Sequence, residues 1–212
     1  LRKFLLEKME ELPLQAEYIH AGAFDLTLRY AKHMFLAIRK LGPQAIPGLM
    51  ANKARWDVRV KHARLLPHNF VDKLIQGFNQ ITPAFVAPRI MAYRQRFVHH
   101  LMIKVEQRQS AQLTALLEEF FSHRPGEYFL CDEREAADAF LVRFAVGGCT
   151  ASYCDYLGYN TNERLIAFDV ALRRNDTRWR IDLPPHLAAQ VQADSCCGHF
   201  FCFVNHQDYV LK

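Results

Sequence analysis

The chain has 212 residues, half of them apolar, 12% aromatic and 23% charged, with nine Gly and nine Pro, which excludes a disordered or fibrous class and supplies enough apolar side chain for a core. No apolar run approaches the roughly 20 residues that a bilayer span needs. The formal charge of +5 hides a split: residues 29–108 hold fifteen Lys/Arg against three acids (Asp57, Asp72, Glu106), a local +12 that leaves −7 for the rest and implies two sub-structures with different surroundings.

The N-terminal stretch Leu1 to Glu11 mixes both charge signs at helical spacing and has no h-region or cleavage site, so it is an interior helix and not a signal peptide. Residues 14–20 read as a strand. Residues 23–40 carry Phe24, Leu28, Ala31, Phe35 and Ile38 at core spacing, which predicts one helix stopped by Gly42-Pro43. The segment from Lys53 to Leu66 sets Trp56 and aliphatics among the cations Lys53, Arg55, Arg59, Lys61 and Arg64, the composition of a surface-seeking amphipathic segment. Asn69 is placed to cap a short helix bearing Phe70, Leu74, Ile75 and Phe78, and residues 89–105 predict a third helix.

Three readings of the basic block are open. The cations are solvated faces of ordinary helices, or they meet an anionic leaflet, or they neutralise nucleic-acid phosphates. Trp56 beside aliphatics favours lipid over phosphate, because an apolar wedge gains from the acyl boundary.

Beyond residue 108 the texture changes. Residues 110–123 predict an amphipathic helix ended by Pro125-Gly126, residues 127–131 a short strand, and Asp132 with Glu135 a capping box that opens a helix to Phe144 with Phe140, Leu141 and Phe144 inward. Strands are expected at 149–157 and 164–173, joined by the hairpin-like 158–162, then a helix from Pro184-Pro185 to about Gln192 and a last strand over 198–212. The order β-α-β-β-α-β is a split βαβ, so the fold class is α+β: an antiparallel sheet with packed helices, interrupted by a basic, mainly helical insertion. The expected division is residues 1–28 and 109–212 for the sheet-bearing part and 29–108 for the insertion. A chain that begins at Leu1 and stops in a strand is expected to be a piece of a longer protein.

Six cysteines contain no C-x-x-C pair and are expected to be reduced and partly buried; vicinal Cys196-Cys197 offers a redox or metal pair as the alternative. There is no phosphate-binding glycine loop, no G-x-S-x-G elbow and no H-E-x-x-H. Candidate chemistry narrows to two places. Arg173 and Arg174, at a strand end, present guanidinium groups suited to a substrate carboxylate, or else pair with Asp176 across a turn. His199 and His206 are seven apart, so on one unbroken strand they point to opposite faces; a shared metal would need a bulge, whereas each alone can act as a pocket hydrogen-bond donor or base, or be an ordinary structural histidine.

The run Phe168-Asp-Val-Ala-Leu-Arg-Arg-Asn-Asp-Thr-Arg-Trp179, then Leu183-Pro-Pro, then Gly198-His-Phe-Phe-Cys-Phe-Val-Asn-His-Gln-Asp-Tyr-Val-Leu-Lys212, closely resembles the C-terminal half of the respiratory, quinone-linked, FAD-dependent D-lactate dehydrogenases. Weaker similarity runs collinearly upstream through 12–20, 35–42, 88–90, 99–101 and 139–145. The resemblance implies a peripheral enzyme at the cytoplasmic face of the inner membrane, oxidising D-lactate to pyruvate and passing electrons through FAD to quinone. It implies that this region is a cap over the flavin interrupted by an electropositive membrane-association domain on anionic phospholipid, with no nucleic acid as partner. FAD would be bound mainly by a domain preceding Leu1, and the chain alone would be inactive. In the wider flavin family a Gly-His-x6-His pattern contributes pocket histidines that bind a divalent metal; Phe200 to Asn205 replace its glycine-rich centre here, so no metal is expected. The site residues that the resemblance implies are His206 and His199 as base and Arg173 or Arg174 as carboxylate anchor, with Lys53, Arg55, Trp56, Arg59, Lys61 and Arg64 at the membrane. The rival readings are a basic RNA-binding or membrane-adaptor module, although the Lys/Arg-Gly-aromatic pattern of an RRM strand is missing, and a non-functional gene fragment.

Overall fold

The computed structural model describes residues 1–63, 66–83, 85–173, 176 and 181–212. Five strands form one antiparallel sheet: β1 (Gln15–His20), β2 (His99–Lys104), β3 (Leu165–Ala171), β4 (Val191–His199) and β5 (Val204–Leu211), in the order β2-β1-β4-β5-β3. The helices are α1 (Arg2–Lys8), α2 (Ala21–Tyr30), α3 (Lys32–Leu41), α4 (Ile46–His62), α5 (Phe70–Ile81), α6 (Pro88–Arg96), α7 (Ser110–Ser122), α8 (Glu133–Val146), α9 (Cys149–Leu157), α10 (Thr161–Arg164) and α11 (Pro185–Ala188). The α+β class and the antiparallel sheet are as the sequence predicts. Both β3 and β4 run antiparallel to β5, which lies between them, so β3-α11-β4 is a split βαβ unit built from strands other than those expected.

One face of the sheet, carrying Ile19 and Cys197, is covered by α2, α8 and α9 around a core of Phe24, Phe35, Phe85, Val142 and Val146. The other face packs Ala16, Tyr18 and Cys196 against Phe200, next to a cluster that joins Leu5 and Met9 of α1 to Leu113 and Leu117 of α7. The vicinal cysteines therefore alternate across β4. The thiols of Cys149 and Cys197 are pushed up, to about 11 and about 12, chiefly by burial, which leaves them unreactive at neutral pH.

Several elements differ from expectation. Residues 149–157 are a helix: Gly148 opens it, Gly158 closes it at φ +76°, and Cys149 and Thr150 bury its inner side, so small residues suited to close helix packing outweigh the β-prone composition. The expected hairpin at 158–162 is that left-handed glycine followed by the single turn α10. Residues 127–131 belong to no strand or helix; Phe129 packs instead under the Arg89 guanidinium. The helix expected over 89–105 ends at Arg96, because 99–104 pair with the whole of β1, from His20↔His99 to Gln15↔Lys104. The Asp132/Glu135 capping box forms, yet the inward face of α8 is Ala139, Val142, Ala145 and Val146, and Phe144 is 50% exposed. The helix expected to reach Gln192 is one turn, since β4 already begins at Val191.

The helix predicted over 23–40 is two, broken at the fully buried Ala31. A break inside the core strands helix-end groups away from water. Helix α5 satisfies them: Gln76 Nε2 donates to Arg29 O at 3.1 Å, Asn79 Nδ2 to Tyr30 O at 3.1 Å, and His33 N donates to Asn79 Oδ1 at 2.9 Å. In return Lys32 Nζ donates to the carbonyls of Asn79 and Thr82, at 3.0 and 2.9 Å, at the C-terminal end of α5. Neither Ala31 nor Asn69 caps its own helix through a side chain; Asn69 Nδ2 donates to Tyr156 O at 2.8 Å instead. Asn79 thus caps α3 from another helix.

Candidate functional site

The expected single strand over 198–212 is a hairpin. His199 ends β4, residues 200–203 reverse the chain with Phe203 in the left-handed region at φ +58°, and β5 returns. The Arg2 guanidinium sits 4.0 Å over the Phe203 ring, and Leu172 N donates to Phe203 O, which together fix this turn. Gly198 is required by close approach: a Cβ there would lie 2.5 Å from Val204 O. With Cys197↔His206 and His199↔Val204 in register, both imidazoles fall on the same face of neighbouring strands. Their ring centroids are 5.2 Å apart at 87°. The face parity expected for one strand does not apply, because a turn free of Gly, Pro, Asn and Asp separates the two histidines.

Each imidazole is backed by a carboxylate from the strand on its other side. His199 Nδ1 lies 2.8 Å from Glu17 Oε2 of β1, and His206 Nδ1 is hydrogen-bonded to Asp169 Oδ1 of β3. A carboxylate accepts from Nδ1–H, which leaves each Nε2 as the ring's acceptor. Glu17 is buried and lies 2.7 Å from Arg143 Nε of α8, while the Asp169 side chain is 76% exposed. The imidazoles, about one-third exposed at 36% and 34%, therefore stand between an anchored interior and an open side. The arrangement presents two imidazoles whose Nδ1 atoms are engaged by carboxylates and whose Nε2 atoms are left for a further partner. Among the described residues no group of three or more His, Cys, Asp or Glu is arranged to hold a metal ion.

Arg173 lies exposed two residues beyond the end of β3, its carbonyl accepting from Asp176 N at 3.0 Å. Arg174 and Arg64 lie outside the described residues. Glu17 and Arg143 were passed over in the sequence; an acid set between Ala16 and Tyr18-Ile19 within a strand is the signal that marks Glu17.

The cations of α4 divide. Lys53 turns inward and meets Asp72, Asp57 and Asp155 at 2.9, 3.0 and 3.2 Å. Burial disfavours its ammonium, but hydrogen bonds to Asp72 and Asp57 and the field of Asp155 outweigh burial and hold its pKa above the ordinary lysine range. Burial pushes the Asp72 carboxyl up against the pull of Lys53. Arg55, Arg59 and Lys61 are exposed; the Arg55 guanidinium donates to Asn52 Oδ1, and that of Arg59 lies 5.1 Å over the exposed Trp56 ring. Helix α5 alongside has its polar residues inside: Gln76 and Asn79 are 4% and 1% exposed, whereas Leu74, Phe78 and Ile81 are 59%, 50% and 81% exposed. Sequence periodicity marked Leu74 and Phe78 as apolar positions of this helix, but neither Ile81 nor the side they face. No described helix is long and apolar enough to cross a membrane.

The profile of the family described as "D-lactate dehydrogenase, membrane binding" matches residues 1–212. The chain is 34% identical over 212 residues to a quinone-dependent D-lactate dehydrogenase of Escherichia coli, and 35% over 213 residues to that of Haemophilus influenzae. It is 34% identical over 214 residues to the enzyme of the same description from Corynebacterium glutamicum. Each comparison covers 100% of this chain and 37–38% of the relative, so the chain spans little over a third of the length of the curated proteins it matches. A helix with an exposed basic face and a sheet that presents two carboxylate-backed imidazoles thus occur in a chain that belongs, over its whole length, to the membrane-binding family of the D-lactate dehydrogenases.

Proposed function

We propose that the chain is the cap and membrane-binding portion of a peripheral enzyme at the cytoplasmic face of the inner membrane. That enzyme oxidises D-lactate to pyruvate and passes the electrons through FAD to quinone. The observation that carries the catalytic half is the hairpin-facing pair His199 and His206, each with a carboxylate behind its Nδ1.

The donor set fits the substrate side of a flavin: two imidazole acceptors and, at the end of β3, the Arg173 guanidinium, with no glycine-rich phosphate cradle in the sequence to hold the cofactor's diphosphate. FAD, bound mainly by the rest of the protein, supplies the electron sink. The residues of this chain do the proton and orientation work. Nε2 of His206 or His199 takes the proton of the 2-hydroxyl, Asp169 and Glu17 keep each ring in the tautomer whose Nε2 can accept, and Arg173 holds the substrate carboxylate in a bidentate pair. Arg174 is the second candidate for that anchor. The membrane half rests on the exposed cations Arg55, Arg59 and Lys61 beside Trp56, each worth about 1 kcal/mol near an anionic leaflet. The ion-paired Lys53 organises α4 rather than contributing directly, and Arg64 completes the cluster in sequence.

The test is turnover in the full-length enzyme. Replacing the base, by His206→Ala or His199→Ala, lowers kcat for D-lactate by about 10²- to 10⁴-fold, the usual worth of a positioned general base. Wild-type turnover in both variants refutes the assignment.

A further inference from the structure

Helix α5 is reversed with respect to water. Its most buried positions are Gln76 and Asn79, its most exposed large ones Leu74, Phe78 and Ile81, at i, i+4 and i+7 along one stripe. The reversal has a cause: the α2/α3 break leaves Arg29 O, Tyr30 O and His33 N facing α5, and the polar side chains Gln76 and Asn79 of α5 meet them. Once those side chains point inward, the apolar stripe has nowhere to go but out.

Helix α4 repeats the pattern, with Lys53 and Asp57 on its inner side and Met50 and Trp56 exposed at 63% and 56%. The single acid of α4, Asp57, and the single acid of α5, Asp72, are both turned onto Lys53. The exposed cations Arg55, Arg59, Lys61 and Lys73 therefore have no free carboxylate beside them on these two helices. An apolar stripe bordered by unopposed cations matches the layered chemistry of an anionic bilayer, acyl chains beneath negative headgroups.

We infer that Leu74, Phe78 and Ile81 are an insertion wedge that enters the acyl boundary of an anionic bilayer, so that membrane attachment has an apolar, salt-resistant component seated on α5 in addition to the cations of α4. The inference rests on the membrane-association reading above, and the experiment separates the two.

The full-length enzyme is partitioned onto vesicles of phosphatidylglycerol and phosphatidylethanolamine across a salt series. At about 1 M salt the screening length is about 3 Å, which removes headgroup attraction and leaves the wedge. The wild type keeps a salt-resistant fraction; the triple variant Leu74→Ser, Phe78→Ser, Ile81→Ser, shown to be folded by circular dichroism, loses roughly a hundredfold in partition coefficient at high salt. A Phe78→Trp variant is quenched by lipids brominated in the acyl chain. A wild type that binds no vesicle at any salt overturns the membrane reading and the wedge together. Binding that is wholly salt-reversible, with an unquenched Trp at position 78 and a triple variant equal to wild type, overturns the wedge alone. A triple variant that binds vesicles normally but converts a dimer to a monomer overturns it too, by assigning the stripe to a second copy of the chain.

Discussion

Asn79→Leu is the sharpest test of how α5 is seated. By residue type the change looks favourable, since it replaces a polar side chain that is 1% exposed with an apolar one and improves helix propensity. In the structure it removes the acceptor of His33 N and the donor to Tyr30 O, leaving two buried backbone groups unpaired. Each costs about 1–3 kcal/mol, while burying the leucine returns about 2 kcal/mol, so a net loss centred on about 2 kcal/mol is expected when both groups stay dry. Phe78→Ser, half-exposed on the outer side, costs about 1 kcal/mol. Because a protein of several parts does not unfold in two states, the measurement is native-state hydrogen exchange at His33 and Phe35, in the first turn of α3. Asn79→Leu lowers protection there by about 30-fold at 1.4 kcal/mol per tenfold; Phe78→Ser leaves it within about fivefold of wild type. The reverse order, with protection kept in Asn79→Leu and lost in Phe78→Ser, would mean that the apolar stripe faces the core and would refute the reasoning.

Burial holds the His100 imidazole down, to about 4, against a hydrogen bond to Phe97 O that favours its charged form. The unfolded chain then takes up a proton near pH 6.5 that the folded chain refuses until about pH 4, so stability is full above pH 6.5 and falls by up to about 3 kcal/mol as the pH drops to 4. His100→Gln flattens that acid limb of an unfolding-against-pH curve; an unchanged slope sinks the assignment. At the hairpin, Gly198→Ala sets a methyl 2.5 Å from Val204 O, which forces β4 and β5 apart at the imidazoles. Native-state hydrogen exchange in β4 and β5 should show protection lowered by about tenfold, roughly 1.4 kcal/mol, and unchanged protection would show that the close approach is not required.

The sequence was most legible where a local rule is sufficient. The Asp132/Glu135 capping box, the Asn69 boundary of α5, the strand at 15–20 and the strand at 165–171 follow from patterns a few residues long. It was illegible where a distant partner decides. Residues 99–104 become a strand because β1 offers them an edge, and Ala31 can interrupt a helix only because Gln76 and Asn79 supply the missing partners from some 47 residues away. The histidines show both sides of this. Their identity as candidates was evident from His199 and His206 alone, whereas their meeting depends on a reversal at Phe200 to Phe203 that contains none of the usual turn residues, held by Arg2 from the far end of the chain. Glu17, which fixes His199, could be flagged only as an acid out of place.

The reciprocal bonding between α5 and the α2/α3 break bears on how an attached protein keeps its shape. A helix fastened by apolar packing is fastened by its aversion to water, and that fastening fades when acyl chains replace the water. The bonds of Gln76, Asn79 and Lys32 behave oppositely, since hydrogen bonds gain strength as the surroundings lose polarity. A helix tied down by amides and an ammonium can be wetted by lipid on its outer side and remain joined to the body that carries it. The same sequence choice that makes α5 look ill-suited to water makes it a fastening that does not dissolve in oil.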